Sequence, residues 1–104
     1  MKLFSYGTLL IPEITQELLG FPLIPEKSVF IRGYKMELLN GNYGYLMCKE
    51  TGNSDDIVAG FIVEVPDNLF ERLDRYEGNG YRRATIVCYD RKLNEINSQI
   101  YLKN

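Results

Sequence analysis

The run Pro66-Asp67-Asn68-Leu69-Phe70-Glu71-Arg72-Leu73-Asp74-Arg75-Tyr76-Glu77-Gly78 decides how this chain folds. Pro66 to Asn68 read as a helix start. Asn68 with Glu71 three residues later has the spacing of a capping box, with Asn in place of the usual Ser or Thr. Leu69, Phe70, Leu73 and Tyr76 recur at helical spacing and predict an apolar stripe. Gly78 is a stop signal. No other segment is so convincingly helical, and strand patterns surround it. Residues 58–65 form one strand, in which Gly60 marks a bulge or a close backbone approach. Residues 81–89 form a long β-branched and aromatic strand.

Further out, residues 2–5 read as a short strand ending at Tyr6-Gly7-Thr8. Residues 12–19 read as one or two helical turns, with Pro12 suited to the first helical position and Gly20 and Pro22 as the stop. Residues 28–39 alternate in part, with a kink expected at Gly33. Asn40-Gly41-Asn42 is a turn cluster, and residues 43–49 are the next strand. Residues 51–56 are polar and turn-like, the segment expected to be the mobile loop. Residues 94–102 supply the last strand. About six strands with one main helix and a short N-terminal helix predict a small α+β domain, a barrel or strongly curved sheet with a helix packed on it.

At 104 residues the chain has the size of one domain, burying roughly 65% of its unfolded surface. It is 45% apolar and 25% charged with a net charge of −2, an ordinary globular composition without the basic run that nucleic-acid binding requires. No stretch approaches the roughly 20 apolar residues of a membrane span. The first residues reach a turn signal at once and lack a secretory signal's apolar stretch, so a cytoplasmic location is expected. Cys48 and Cys88 share no metal-ligand spacing and read as reduced, buried strand residues. The absence of histidine excludes Ser-His-Asp and Cys-His catalysis and any imidazole-bound zinc. Acid–base chemistry near neutral pH falls to Glu, Asp, Lys, Tyr or Cys.

Glu77 is the anomaly. On the helix it projects with Phe70 and Leu73 toward the interior, where an isolated charge is costly. It also sits in the last turn, where the helix dipole disfavours an anion. Both effects raise a carboxyl pKa, which suits a proton shuttle near neutral pH. The bland alternative is a frayed last turn that leaves Glu77 in solvent. Asp74, one turn earlier near the edge of the same face, makes a carboxylate pair that suits a divalent metal or a mutual pKa shift. Its polar-border position favours neutralisation by Arg75, Arg82 or Arg83 instead. The second candidate is Tyr6-Gly7-Thr8-Leu9-Leu10. A glycine directly after a strand lets a ligand approach the backbone, and the N–H groups of Thr8, Leu9 and Leu10 are placed to converge on an anion if a helix follows. The alternative is a plain strand-to-helix turn. Eight tyrosines are many for this length; most fit half-buried strand positions, with a few left to line a pocket.

Taken together, Tyr6-Gly7-Thr8-Leu9 after the first strand and Leu73-Asp74-Arg75-Tyr76-Glu77-Gly78 with Tyr81-x-Arg83 resemble the two hallmarks of the gamma-glutamylcyclotransferase-like superfamily, which includes the gamma-glutamylamine cyclotransferases and AIG2-like proteins. Gly33-Tyr34 and Ala59-Gly60-Phe61-Ile62 leading into Val65-Pro66 fall where that family has similar strands. The resemblance covers nearly the whole chain. It implies a small mixed β-barrel with flanking helices. It implies a small-molecule γ-glutamyl substrate bound by Tyr6, Gly7, Thr8, Leu9 and Tyr81, Glu77 as catalytic acid/base, and no metal or organic cofactor. The implied reaction releases 5-oxoproline and an amine or amino acid. The competing expectations are a non-catalytic binding module on the same barrel and another carboxylate-driven reaction on the same pocket, such as amide hydrolysis.

Overall fold

A computed structural model describes residues 1–38 and 46–104. The described strands are β1 (Lys2–Ser5), β2 (Pro25–Arg32), β3 (Tyr34–Leu38), β4 (Leu46–Glu50), β5 (Ile57–Glu64), β6 (Tyr81–Tyr89) and β7 (Glu95–Lys103). Two α-helices, α1 (Pro12–Leu19) and α2 (Phe70–Glu77), are equal in length. The Asn40-Gly41-Asn42 turn, and the expected strand residues Tyr43 to Tyr45, lie outside the described residues.

Five strands close into a barrel in the order β1-β5-β2-β6-β7, while β3 and β4 form a separate two-stranded ribbon. The barrel is mixed: β1 runs antiparallel to β5 and parallel to β7, with Leu3 opposite Gln99. The long β6–β7 pairing, from Tyr81↔Lys103 to Tyr89↔Glu95, is antiparallel throughout. The expected α+β barrel is thus the observed architecture. The expected single strand over residues 28–39 is, as far as Leu38, two strands, and residue 39 lies outside the described residues. At Gly33 φ is 86°, a left-handed conformation that glycine adopts without strain. The Gly33 N–H donates to the Asp56 carbonyl at 2.8 Å and the Gly33 carbonyl accepts the Thr51 N–H at 2.8 Å. The chain therefore leaves the barrel there to start the ribbon, and residues 51–56, expected to be a loose loop, are a turn held by these bonds.

Period-2 alternation explains why the core has two compartments. Phe4, Ile62, Ile100 and Leu102 face the barrel interior with Val29, Ile31, Val58, Ile86 and both cysteines. Their strand neighbours Leu3, Val63 and Tyr101 face outward, onto Leu19, Phe70 and Leu73 of the two helices. Strands covered on both sides show little polar alternation, which is why these segments are nearly continuous apolar runs. Leu73 and Phe70 are almost fully covered, each contributing about 1.5–3 kcal/mol through burial. The close approach expected at Gly60 is real: a Cβ there would lie 2.6 Å from a Phe4 ring carbon and 2.7 Å from the Ser5 carbonyl oxygen. Cys48 and Cys88 are buried free thiols; burial pushes the Cys48 thiol up to about 11, so both behave as small core residues.

Helix α1 begins at Pro12 as expected and ends at Gly20, whose N–H donates to Gln16 at 2.9 Å. Buried Thr15 fixes the exit from this helix: its hydroxyl accepts the Leu23 N–H at 3.0 Å. The Asn68–Glu71 capping box does not form. A 3-10 turn, Asp67–Leu69, precedes α2, and neither helix start takes a side-chain cap. Asp67 instead binds the N-terminal ammonium at 2.7 Å. Tyr76, expected in the apolar stripe, is exposed, because the stripe over the barrel is complete with Leu69, Phe70 and Leu73.

Candidate active site

Helix α2 ends on Glu77 because Gly78 takes φ 74° and ψ −169°, a combination essentially restricted to glycine. The Gly78 N–H closes the last turn on the Asp74 carbonyl at 3.0 Å. The following turn is fastened by the end of β7. The Asn104 N–H and the Lys103 ammonium both donate to the Gly80 carbonyl, at 2.9 and 3.2 Å. The Asn104 side-chain amide donates to the Asn79 carbonyl at 2.8 Å. Glu77 is therefore presented by a helix end held from both sides.

The side chain of Glu77 is half-buried, and among the described residues it has neither a hydrogen bond nor an ion pair. Burial raises its pKa from 4.5 to about 7. The direction matches the expectation. The cause is loss of solvent, with no contribution from a neighbouring carboxylate, so the anion is penalised without being compensated. The frayed, solvated last turn is not what the chain adopts.

Three phenols feel the Glu77 charge. Tyr6, in the loop after β1, is pushed far above its ordinary range, first by burial and then by the charges of Cys48, Glu77 and Tyr81; a backbone hydrogen bond with Cys48 pulls the other way. Tyr81, at the start of β6, is raised by burial and then by Glu77. Tyr101 is raised by burial, by its bond to Asp74 and, least, by Glu77. The fold thus brings Tyr6 and Tyr81 into the electrostatic neighbourhood of Glu77. The Tyr81 ring also lies under the Lys103 ammonium, 5.6 Å from its centroid.

The rest of the Tyr6 loop divides its backbone from its side chains. Leu9 is a core residue, packed with Leu19, Leu23 and Phe70. The Leu10 N–H donates to the Gly7 carbonyl at 2.9 Å, so it closes a turn and is not available to an anion, contrary to expectation. Leading N–H groups of a helical turn have no intrahelical acceptor, which leaves those of Thr8 and Leu9. Gly7 is informative in a different way. Its φ is not positive, and a Cβ built there meets no heavy atom within 4 Å. Neither backbone conformation nor internal packing demands a glycine at this position.

Asp74 is neutralised, as expected, and Arg83 is the partner, its Nε 3.2 Å from Oδ1. Arg75 pairs instead with Glu71, one turn back on the same helix. Arg83 also lies 4.7 Å over the Phe70 ring. The Tyr101 hydroxyl donates to Asp74 at 2.6 Å, while the Tyr101 carbonyl accepts the Tyr6 hydroxyl at 2.8 Å. Tyr101 was not legible as part of this site: it is one tyrosine among eight, and no local motif marks it. Asp74 is thus committed to Arg83 and Tyr101, and among the described residues no cluster of three or more potential metal ligands occurs.

The model of one family, "Gamma-glutamyl cyclotransferase, AIG2-like", matches residues 3–104. No functionally curated protein is similar enough in sequence to match. Among solved structures, a gamma-glutamyl cyclotransferase superposes with a TM-score of 0.82 at 16% identity, over 100% of this chain and 66% of the other. Two Arabidopsis thaliana proteins are similar at 23% identity, with TM-scores of 0.80 and 0.75. Each is matched over 98% of this chain, and over 67% and 61% of its own length respectively. The chain therefore spans about two thirds of the length of these neighbours, and at such identities the likeness establishes the fold.

Proposed function

Because the chain belongs to the gamma-glutamyl cyclotransferase, AIG2-like family, we propose that it cyclises a small γ-glutamyl amine or γ-glutamyl amino acid, with Glu77 as general acid/base. The observation that carries this reading is the Glu77 carboxyl: half-buried, without a partner among the described residues, and poised at about 7. A group with that pKa both accepts and returns a proton at neutral pH.

The substrate's α-amine is protonated near pH 7 and cannot attack. The Glu77 carboxylate takes one proton, and the freed nitrogen lone pair attacks the γ-amide carbonyl carbon of the same molecule. As the tetrahedral oxyanion collapses, the bond to the leaving nitrogen breaks and Glu77 returns its proton to that nitrogen. The ring nitrogen, which still carries two hydrogens after attack, loses the extra proton to solvent, and the released amine takes one up. The products are 5-oxoproline and a free amine or amino acid. One carboxyl serves both transfers, which is compatible with a chain that has no histidine. Ring closure is mainly a problem of geometry, and holding amine and carbonyl in attack position is worth roughly 7–11 kcal/mol. The backbone N–H groups of Thr8 and Leu9 hold the substrate α-carboxylate or the oxyanion. Gly7 supports this role, since a glycine that the fold itself does not require fits a position where substrate lies against the backbone. In this reading Tyr6 and Tyr81, both within electrostatic reach of Glu77, wall the substrate site.

The test is release of 5-oxoproline from a panel of γ-glutamyl amines and γ-glutamyl amino acids, comparing wild type with Glu77→Gln. Release by wild type and its loss in the variant are expected. Equal rates would remove Glu77 from the chemistry. Saturable binding without release from any compound would leave a binding module on the same barrel.

A further inference from the structure

One residue outside both sequence hallmarks touches both halves of the site. Tyr101 lies on β7, with its side chain in the outer core compartment beside Phe70 and Leu73. Its hydroxyl donates to Asp74 at 2.6 Å, one helical turn before Glu77. Its own carbonyl accepts the Tyr6 hydroxyl at 2.8 Å, at the root of the Tyr6-Gly7-Thr8-Leu9 loop. The helix that carries Glu77 and the loop that faces it are thus fastened to a single residue of a barrel strand. We propose that Tyr101 is the positioning residue of this site, setting the placement of Glu77 relative to the Tyr6 loop through these two bonds. The proposal rests on the cyclotransferase reading for its consequence in rate, but not for its consequence at Glu77 itself.

The physical argument is one of redundancy. Without the Tyr101 hydroxyl, the last turn of α2 keeps its own Gly78–Asp74 backbone bond, while the carboxylate of Asp74 is left to the Arg83 pair, which is partly exposed at 3.2 Å and so a weak, water-accessible restraint. The bonds from Lys103 and Asn104 restrain the turn after Glu77 rather than the helix before it. A looser last turn admits water to Glu77 and relieves the burial that raises its pKa. Among the described residues, the groups within electrostatic reach of Glu77 are Tyr6 from the loop after β1, Tyr81 with Lys103 beside it, and Tyr101 from β7; the Asp74–Arg83 pair lies one turn away. Tyr6, Tyr81 and Tyr101 are all raised above the ordinary phenol range, so a shift in the Glu77 titration reports solvent entry and placement.

Tyr101→Phe removes the hydroxyl and leaves the ring and the carbonyl bonded to Tyr6. Two measurements test it: the Glu77 carboxyl titration by carbon-13 NMR, and kcat and KM for 5-oxoproline release. The expected result is a fall of about one unit in the Glu77 midpoint, and a loss of about tenfold to a hundredfold in kcat with KM little changed. Asp74→Asn keeps an oxygen acceptor for the Tyr101 hydroxyl and is expected to hold the midpoint closer to wild type than Tyr101→Phe does. Tyr89→Phe, whose ring stacks on Phe30 away from the site, is the control and should change neither readout. An unchanged Glu77 midpoint in a folded Tyr101→Phe protein overturns the proposal. A shifted midpoint in a protein that releases no 5-oxoproline keeps the positioning role and counts against the cyclotransferase reading alone.

Discussion

Two carboxylates flank strand β6 and have opposite environments. Asp90, just after the strand, is largely covered by its own turn and meets a full set of partners. The Asn94 and Lys92 N–H groups each donate to it at 2.9 Å, the Asn94 amide donates at 3.1 Å, and Lys27 lies 3.6 Å away. Its pKa is lowered, first by the Asn94 backbone bond, then by the Asn94 side chain, Lys92 and Lys27. Glu77, four residues before the same strand, is half-buried with no such set and is raised. Burial alone therefore does not decide what a carboxylate is for. A covered acid with every lone pair answered holds a turn; a covered acid left unanswered is destabilising and available for proton transfer.

The largest expected effect separates the two ends by chemistry. Glu77→Gln should cut 5-oxoproline formation by about 10²–10⁴-fold, the usual contribution of a general acid/base, while Asp90→Asn should leave the rate unchanged. A similar loss in both, measured in the same assay, would dissolve the contrast. The pH profile sharpens it. Glu77 must be ionised to take the first proton, so kcat/KM should fall as pH drops below about 7, and no acid limb should trace to Asp90. Next in size is Gly7→Ala. With no internal clash, melting should be unaffected, while KM rises about tenfold if a methyl group intrudes on substrate, about 1.4 kcal/mol of binding.

A smaller effect appears in stability, with opposite signs at the two ends. Glu77 has a pKa of 4.5 ordinarily and about 7 in the fold. Between those values the folded chain holds more protons than the unfolded chain, so the contribution of Glu77 to stability falls as pH rises through that window. Discounted for partial exposure, the loss is about 1–2 kcal/mol. Urea melts at pH 5 and pH 8 should show it in wild type and not in Glu77→Gln. For Asp90 the folded pKa is depressed, so its contribution is present at neutral pH and lost as pH falls through the acid range. Asp90→Asn should therefore lower the melting temperature at pH 7 and converge on wild type in acid. A Glu77→Gln protein that is no more stable than wild type at pH 8 would mean that the carboxylate is solvated after all.

The boundaries of β1, α1 and β6 and the end of α2 were legible because they depend on local rules: Pro12 opening a helix, Gly20 and Gly78 closing helices, and the β-branched and aromatic residues between Tyr81 and Tyr89. The strain at Glu77 was legible for the same reason, since helical spacing places it beside Leu73 whatever else the chain does. The misreadings mark where local rules stop. Tyr76 has the right spacing for the apolar stripe and the wrong side of the barrel to use it. Asn68 and Glu71 have capping-box spacing, but a 3-10 turn moves the helix start past Asn68. The Leu10 N–H belongs to the turn that shapes the loop.

The sequence by itself determined an α+β barrel, a helix ending on a misplaced acid, and a glycine loop after the first strand. Only the tertiary structure decided that Arg83, among three nearby arginines, answers Asp74. It alone showed that Tyr101 ties the helix to the loop across separations of 27 and 95 residues. Periodicity and capping act over a few residues and can be read along a chain. Which donor reaches which acceptor across a closed barrel depends on register and closure, which exist only once every strand has found its neighbour.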